Sequence, residues 1–537
     1  MSAHTVPSLE PTAAVRFSVP KDQPLALDST AQSVDGWPNS LLPWITRLDY
    51  ADAEAAAQAV ATQLTRLNGE RIRITLRQEI NEAFFPPVQR LLAALERRLT
   101  GGSIPLPPAA KRAATQADQL LTSLTASYKL LLVEQGRRLF GFASSGRALL
   151  PLQRLLLLGG QRLVLTYRIY AQVPMGHWSE LHEHYQFAAR RGLSQRELAP
   201  GEATLVAIYK ASLLLAFVDP LRLAPGDLDW VLAVIARNGD RSELGLAQER
   251  RGSLGAFLVR PGRDLPGYSV AQRQHDTRAT AIATTTTTTT HSGPQHDLLL
   301  HTLPVAEALL ADLARYSATG SPDSLGLPAD ADPMRVKELL GRLVKMWGAA
   351  PNRRFNRLRT DARVEVSAGV ADIVANLLTE SPNASPSEWT VTNESEQGFA
   401  ITYVQGPTVN MRVGEVVGLR ARDSIACHIC VVRWVMADRD DKLQVGLEEL
   451  ARNARAAQVR LVRDAGSASI PALVLPEVPE RGKGQSIVTA NVGLNATGLN
   501  ATCELSIGEL QATLRVRPTQ MLERTTSVDV QAFASVN

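Results

Sequence analysis

The sequence predicts a multidomain α+β chain: an N-terminal all-α helical bundle or array, then an antiparallel β-barrel, then a small all-β C-terminal unit. Three observations carry this. In the first half, apolar residues recur at the three-and-four spacing of a helix face, as in Val88, Leu91, Leu92, Leu95 and Leu99. From Val364 the pattern changes to period-2 runs between turn residues, such as Trp389-Thr390-Val391-Thr392 and Phe399-Ala400-Ile401-Thr402-Tyr403. Alternation resumes beyond the linker Gly466-Ser467-Ala468-Ser469, in Ala472-Leu473-Val474-Leu475 and again in Thr502–Ile507 and Ala512–Val516.

Taken in order, residues 1–40 read as disordered and 41–250 as the helical domain. One helix opens at Ala51 and another carries Val88 to Leu99; Gly101-Gly102 and Pro105, Pro107 and Pro108 then break the chain. Further helices are expected at 117–139, 146–171, 177–192, 201–217 and 225–236. Tyr167, Tyr170, Tyr185, Phe187 and Tyr209 fall in them without a fixed period, so no recognisable solenoid repeat is present. Residues 251–295 read as a loose linker with short strands at 255–259 and 267–270 and an unbroken threonine run, 284–290. Connecting helices, 298–316 and 333–347, fill 296–350; the barrel spans 351–462, with a helical insertion at 370–378 and a helix at 448–460; the small β domain spans 469–537.

At 537 residues, 45% hydrophobic and 20% charged, the chain has ordinary globular composition. A net charge of +4 makes no global field of the kind that duplex nucleic acid would need. Three cysteines rule out a disulfide framework and fit a reducing compartment. The N-terminus has no basic region followed by an apolar one, and the run Leu155–Leu158 is short and flanked by arginines. A cytoplasmic protein without a transmembrane segment is expected.

The residues that tempt a catalytic reading resolve into structure. Cys427 and Cys430 lie in a strand-like run, where a three-residue offset sends the thiols to opposite faces; Cys430, Val432, Trp434 and Met436 would form a core stripe. His177, His182 and His184 lack the H-E-x-x-H spacing of a zinc site and read as a polar helix face. Glu448-Glu449 read as part of an exposed helix, and no G-x-S-x-G elbow or phosphate loop of the G-x-x-x-x-G-K type occurs. No enzyme, metal or cofactor is expected.

Two short pieces do point to a ligand. Arg353-Arg354-Phe355-Asn356-Arg357 follows the helix-breaking Pro351 and presents several guanidinium groups, which stack on purine faces and bond guanine O6 and N7 or phosphate oxygens. Asn393-Glu394-Ser395-Glu396-Gln397-Gly398 joins two strand-like runs, so Asn393 and Ser395 can bond their own backbone and a ligand edge, while Gly398 permits a positive φ or close approach of the chain. Together they suggest an anionic, guanine-bearing ligand.

In this order, R-x-x-x-R and then N-x-S-x-x-G, with strands Val413–Leu419, Val431–Trp434 and Gln444–Leu447 behind them, the region resembles the PilZ domain, over about a fifth of the chain. The resemblance implies cyclic di-GMP as ligand, bound by Arg353, Arg354, Arg357, Asn393, Ser395 and Gly398. Arg359 and Arg363 form a second R-x-x-x-R nearer the first strand, so the arginine register stays open. The implied function is a second-messenger effector in motility or biofilm regulation that relays binding to a protein partner on the helical domain. The alternative is a PilZ-like adaptor that binds no nucleotide and serves a motility, pilus or secretion assembly.

Overall fold

The computed structural model describes residues 37–99, 104–138, 146–247, 254–273, 296–320, 322–349, 358–378, 387–421, 424, 426–437, 442–462, 469–478, 484–491, 502–508 and 512–536. Arg353, Arg354, Arg357 and the threonine run lie outside them.

The helical unit comprises α1 (Trp37–Thr46), α2 (Ala53–Gly69), α3 (Ile74–Glu96), α4 (Pro108–Arg138), α5 (Leu149–Arg168), α6 (His177–Arg190), α7 (Leu205–Phe217) and α8 (Asp227–Asn238). Side chains cap the starts of α2 and α7: Asp52 Oδ1 accepts from Ala55 N at 3.2 Å and Thr204 Oγ1 from Ala207 N at 3.2 Å. The expected 3,4 stripes meet in one core, where Leu64, Leu91, Leu95, Leu120, Leu124, Leu152 and Leu156 are buried. Burying each contributes about 1.5–3 kcal/mol. This is a bundle rather than a repeat array. The stretch Gly146–Arg168 is long and apolar enough to cross a membrane by length and composition, against the expectation from the short run Leu155–Leu158; 56% of its apolar 18-residue window is buried inside the unit, as in a core helix.

A four-stranded antiparallel sheet, ordered β1-β4-β2-β3, packs on this bundle through the stacked rings of Phe217 and Phe257, 4.0 Å apart. It consists of β1 (Glu243–Leu246), β2 (Ala256–Val259), β3 (Tyr268–Ser269) and β4 (Leu298–His301), with the short α9 (Val270–Arg273) after β3. Residues 298–301 were expected to open a helix. They form a strand because Leu298 to Leu300 pair on both edges, with β1 and β2, and the helix α10 (Leu303–Thr319) begins only after them. The next helix, α11 (Pro333–Gly348), is capped by Asp332 and ends on the fully buried Trp347, whose Nε1 donates to Leu214 O at 3.2 Å.

The central barrel contains β5 (Leu358–Arg359), β6 (Arg363–Ala368), the inserted α12 (Val370–Leu378), β7 (Ser387–Ser395), β8 (Gly398–Gln405), β9 (Val416–Ala421), β10 (Cys427–Ala437) and β11 (Leu443–Arg452). Its ring runs β7-β6-β9-β10-β11-β8 and closes through β7–β8, while β5 continues along β7 where β6 leaves off. Val366, Trp389, Ile401, Cys430, Val432 and Val445 fill it. Cys427 faces the other way, into a second core, as the three-residue offset requires. The expected stripe breaks after Val432: a bulge at Arg433 turns Val435 inward and lays Trp434 over Gly446, where any side chain would overlap the indole.

Residues 448–460 are not a helix. Glu448 to Arg452 prolong β11, Asn453 turns the chain at φ 57°, and β12 (Arg455–Leu461) starts the C-terminal barrel. Helix-forming composition yields here to pairing and burial, since Leu450, Ala451, Ala454 and Ala456 sit between the two barrels. The second barrel adds β13 (Ile470–Leu475), β14 (Ser486–Ala490), β15 (Cys503–Ile507), β16 (Ala512–Arg524) and β17 (Val528–Ser535), closed in the order β12-β13-β14-β17-β16-β15. The face of α12 carrying Val370, Ile373 and Val374 joins the shared core with Ile429, Leu473 and Val528.

The helical unit also enters the central barrel. Ile104, from the α3–α4 connection, pairs with Met411 through two backbone hydrogen bonds of 3.0 and 2.9 Å and is buried in the barrel core. Tyr170 joins the same core, and the chain beside it pairs with the end of β10, Ala437 N to Tyr170 O at 2.9 Å and Gln172 N to Ala437 O at 3.1 Å.

Candidate functional site

Asn393, Ser395 and Gly398 come together on one hairpin, with Glu396-Gln397 as its two-residue turn. A bulge at Thr392, whose Oγ1 donates to Ala400 O at 3.1 Å, resets the alternation before the corner. Behind it the hairpin is anchored by the buried Trp389 against Tyr403, ring centroids 5.4 Å apart. Ser395 Oγ donates to Gly398 O at 3.2 Å, tying the two ends of the turn, and Asn393 and Ser395 are half-buried.

Gly398 is explained by close approach, and the neighbour is protein. A methyl group on its Cα would overlap the Leu447 carbonyl oxygen, because β8 and β11 pair there with Gly398 opposite Glu448 and Phe399 opposite Leu447. The turn is held to β11 once more by Glu449 N donating to Gln397 O at 2.9 Å.

The second strand edge at this corner brings an arginine. β5 lies antiparallel to the end of β7, placing Leu358 opposite Glu394 and Arg359 opposite Asn393. Both β5 residues are exposed. Arg363 is exposed on β6, opposite Thr390, four residues further along the chain. Arg353, Arg354 and Arg357 immediately precede β5 and lie outside the described residues, so their contacts are not part of the observed geometry.

Residues outside the two motifs also surround the corner, among them Glu448 and Glu449, which were expected on an exposed helix and lie on β11 instead. Phe399 meets the His428 ring edge-on at 5.3 Å; His428 Nδ1 lies 2.6 Å from Glu449 Oε1, to which Arg452 Nε donates at 3.0 Å. Burial pushes the Glu449 carboxyl up, but the hydrogen bonds from His428 and Arg452 outweigh it and hold it below the usual carboxylate value. Glu448 accepts from Arg433 Nε at 2.8 Å, and the same guanidinium holds Glu523 of β16. Of these, Glu448 and Glu449 continue the strand pattern of 443–447, whereas Phe399, His428 and Arg433 have no mark of their own in the sequence. Among the described residues no group of three His, Cys, Asp or Glu converges for a metal.

Comparison with known proteins bears out the resemblance to the PilZ domain. Residues 376–456 match a family model described as "Cyclic-di-GMP receptor FimW, middle PilZ domain" and residues 39–248 match "Cyclic-di-GMP receptor FimW, N-terminal domain". The helical unit thus matches a family model as well. A Pseudomonas aeruginosa protein named "Cyclic-di-GMP receptor FimW" is 23% identical over 550 aligned positions, covering 89% of this chain and 87% of that protein.

Proposed function

From a chain whose central barrel is a PilZ domain, we propose a non-catalytic receptor for cyclic di-GMP, in which the nucleotide lies on the 393–398 corner and is gripped by Arg353, Arg354 and Arg357. The observation that carries this reading is the pairing of Arg359 with Asn393: it brings the chain out of the arginine segment directly beside the corner. Guanidinium groups delivered there can stack on guanine and bond its O6 and N7 edge or a phosphate, while Asn393 and Ser395 supply neutral donors and acceptors. The name of the Pseudomonas relative and its coverage of nearly the whole chain support the same ligand. A receptor of this kind works where the nucleotide is made, in the cytoplasm.

The proposal extends to a relay. The segment from Ala349 to Arg357 is tethered at one end to Trp347, buried in the helical unit, and at the other to β5. A ligand that gathers these arginines therefore pulls between the corner and α11, a change of order that biases the helical unit by the ligand's preference for one arrangement. A protein partner on the helical unit would read that change.

The adaptor reading, a barrel that binds no nucleotide, draws on a cleft of about 650 Å3 between the helical unit and the central barrel. Met175, Met346 and Met436 line it, a composition suited to a docking surface. Calorimetric titration of the full chain with cyclic di-GMP decides between the two. Saturable binding that Arg357→Ala weakens about ten- to a hundredfold is expected for the receptor, corresponding to loss of a charge-assisted contact of about 1.5–3 kcal/mol. Absence of binding by the unsubstituted chain leaves the adaptor. Weakening by Arg363→Ala but not Arg357→Ala would move the grip to the second arginine register.

A further inference from the structure

A second polar site lies in the helical unit, far in sequence from the corner. At the crossing of α4, α5 and α6 there is a cavity of about 150 Å3. Its floor is buried: Lys129 is 7% and His177 5% exposed. Arg162 and Glu180, with side chains 25% and 32% exposed, stand at the opening. The hydroxyl-bearing Thr122 and Thr125 form part of the wall.

The donors and acceptors here are not used up by one another. Lys129 Nζ holds Glu180 Oε1 at 2.6 Å, which leaves an ammonium two further N–H groups. Arg162 gives Nε and one terminal nitrogen to Asp118, at 2.6 and 3.1 Å, which leaves three of its five N–H groups. His177 Nε2 is buried and has no hydrogen-bond partner among the described residues. A neutral imidazole has one nitrogen without a proton, and Nε2, which no described group meets, is the one open to a donor. Burial, with the positive charge of Arg162 and Lys129, holds this imidazole down to about 4, so it stays neutral near pH 7.

We propose that this cavity binds a small oxyanion that retains a proton at neutral pH, with inorganic phosphate as its representative. The ligand's charge goes to the remaining N–H groups of Lys129 and Arg162, and its hydroxyl donates to His177 Nε2. Each cation already holds one carboxylate, Lys129 that of Glu180 and Arg162 that of Asp118, so it is their remaining N–H groups rather than an excess of positive charge that suit an anion. With each water occupying about 30 Å3, the space holds a phosphate and a water or two and is too small for a nucleoside. Sulfate, which has no proton to give, fits the charge but leaves Nε2 unpaired.

The test uses the full chain at pH 7.5, titrated calorimetrically and melted in phosphate, sulfate and chloride at matched ionic strength. Phosphate is expected to bind at least about tenfold more tightly than sulfate and to raise the melting temperature above both other salts. Lowering the pH to about 4 narrows the gap, because His177 then takes up a proton and donates to either anion. That ring is faced by Lys129 from α4, Arg162 from α5, His184 from its own helix α6 and Asp264 from the loop before β3. His177→Phe should abolish the preference for phosphate, and Arg357→Ala, in the other candidate site, should leave it intact. Equal response to phosphate and sulfate, or a phosphate effect that survives His177→Phe and vanishes in Arg357→Ala, overturns the proposal. If His177→Phe does not fold, the comparison of salts on the unsubstituted chain decides alone.

Discussion

Arg433 of the central barrel holds Glu523 of the C-terminal barrel through both carboxylate oxygens, at 2.5 and 3.0 Å, while its Nε donates to Glu448 at 2.8 Å. Burial alone would lower this guanidinium's pKa, but its bonds to Glu523 and Glu448 raise it above the usual arginine value. Glu448 stands opposite Gly398 in the β8–β11 pair, so one side chain connects the strand behind the candidate corner to the second barrel. A bidentate grip of this kind requires a planar fork. Arg433→Lys and Arg433→Ala should both lower stability, the second by about 2–4 kcal/mol, since it leaves two part-buried carboxylates without their cation. Urea unfolding measures this; Arg433→Ala with an unchanged midpoint would reduce the contact to decoration.

Ser395 and Gly398 should part company under mutation, although both belong to one motif. Gly398→Ala places a methyl group on the Leu447 carbonyl and must push β8 from β11, so it is expected to destabilise the barrel with or without nucleotide. Ser395→Ala removes one hydrogen bond, to Gly398 O, for a loss of about 1 kcal/mol, and its main effect should fall on nucleotide affinity. Melting curves recorded with and without cyclic di-GMP separate the two. A stable Gly398→Ala that fails only in binding would return this glycine to the ligand.

The helical unit should weaken in mild acid. Burial holds His177 and His182 down to about 4 and His184 to about 3, from an ordinary 6.5. His182 is enclosed by Tyr209 Oη at 2.6 Å and Leu265 O at 2.8 Å. Below pH 6.5 the unfolded chain takes up protons at these rings that the folded chain refuses, so their contribution is complete above 6.5 and is lost as the pH falls towards 4. Each ring removes at most about 1.4 kcal/mol per pH unit. Glu96, Asp227 and Glu338, which burial pushes up, act in the opposite sense from starting values of 4.5 or lower. Denaturant midpoints should therefore drop between pH 7 and 5; a flat profile over that range sinks the argument.

These histidines also show where sequence reasoning reaches its limit. The spacing of His177, His182 and His184 excluded a zinc helix, but a polar face and a buried polar cluster look alike until the neighbouring helices are known. The corner was legible because its turn residues and flanking alternation are local. The 448–460 strands were not, because Glu448, Glu449, Leu450, Ala451 and Arg452 favour a helix on their own and become strand only through β10 and the shared core. The cysteine offset succeeded as pure geometry, whereas the Arg433 bulge, which shifts the inward stripe to Val435, has no mark in the local pattern. The insertion of Ile104 into the central barrel joins residues 307 positions apart, Ile104 and Met411, and nothing in either segment announces it.

The last prediction concerns the relay. α11 is fixed to the helical unit at its end, where Trp347 donates to Leu214 O at 3.2 Å and its carbonyl accepts from Thr302 Oγ1 at 2.5 Å. At the other side, β5 is fixed to β7 beside Asn393. The bridges at Ile104–Met411 and Tyr170–Ala437 also bind the helical unit to the central barrel, so a large swing between them would have to break paired backbone. The ligand's effect should therefore be local ordering of the connection. Cyclic di-GMP is expected to lower amide exchange and proteolytic cleavage between Ala349 and Arg359 and to slow exchange in the last turn of α11, while the amides of Ile104, Met411 and Ala437 stay as protected as before. Ser395→Ala should diminish both ligand effects together, since each depends on the same bound nucleotide. Protection confined to the barrel at saturating ligand would leave a receptor without this relay, and loss of protection at Met411 or Ala437 would replace local ordering with separation of the two units.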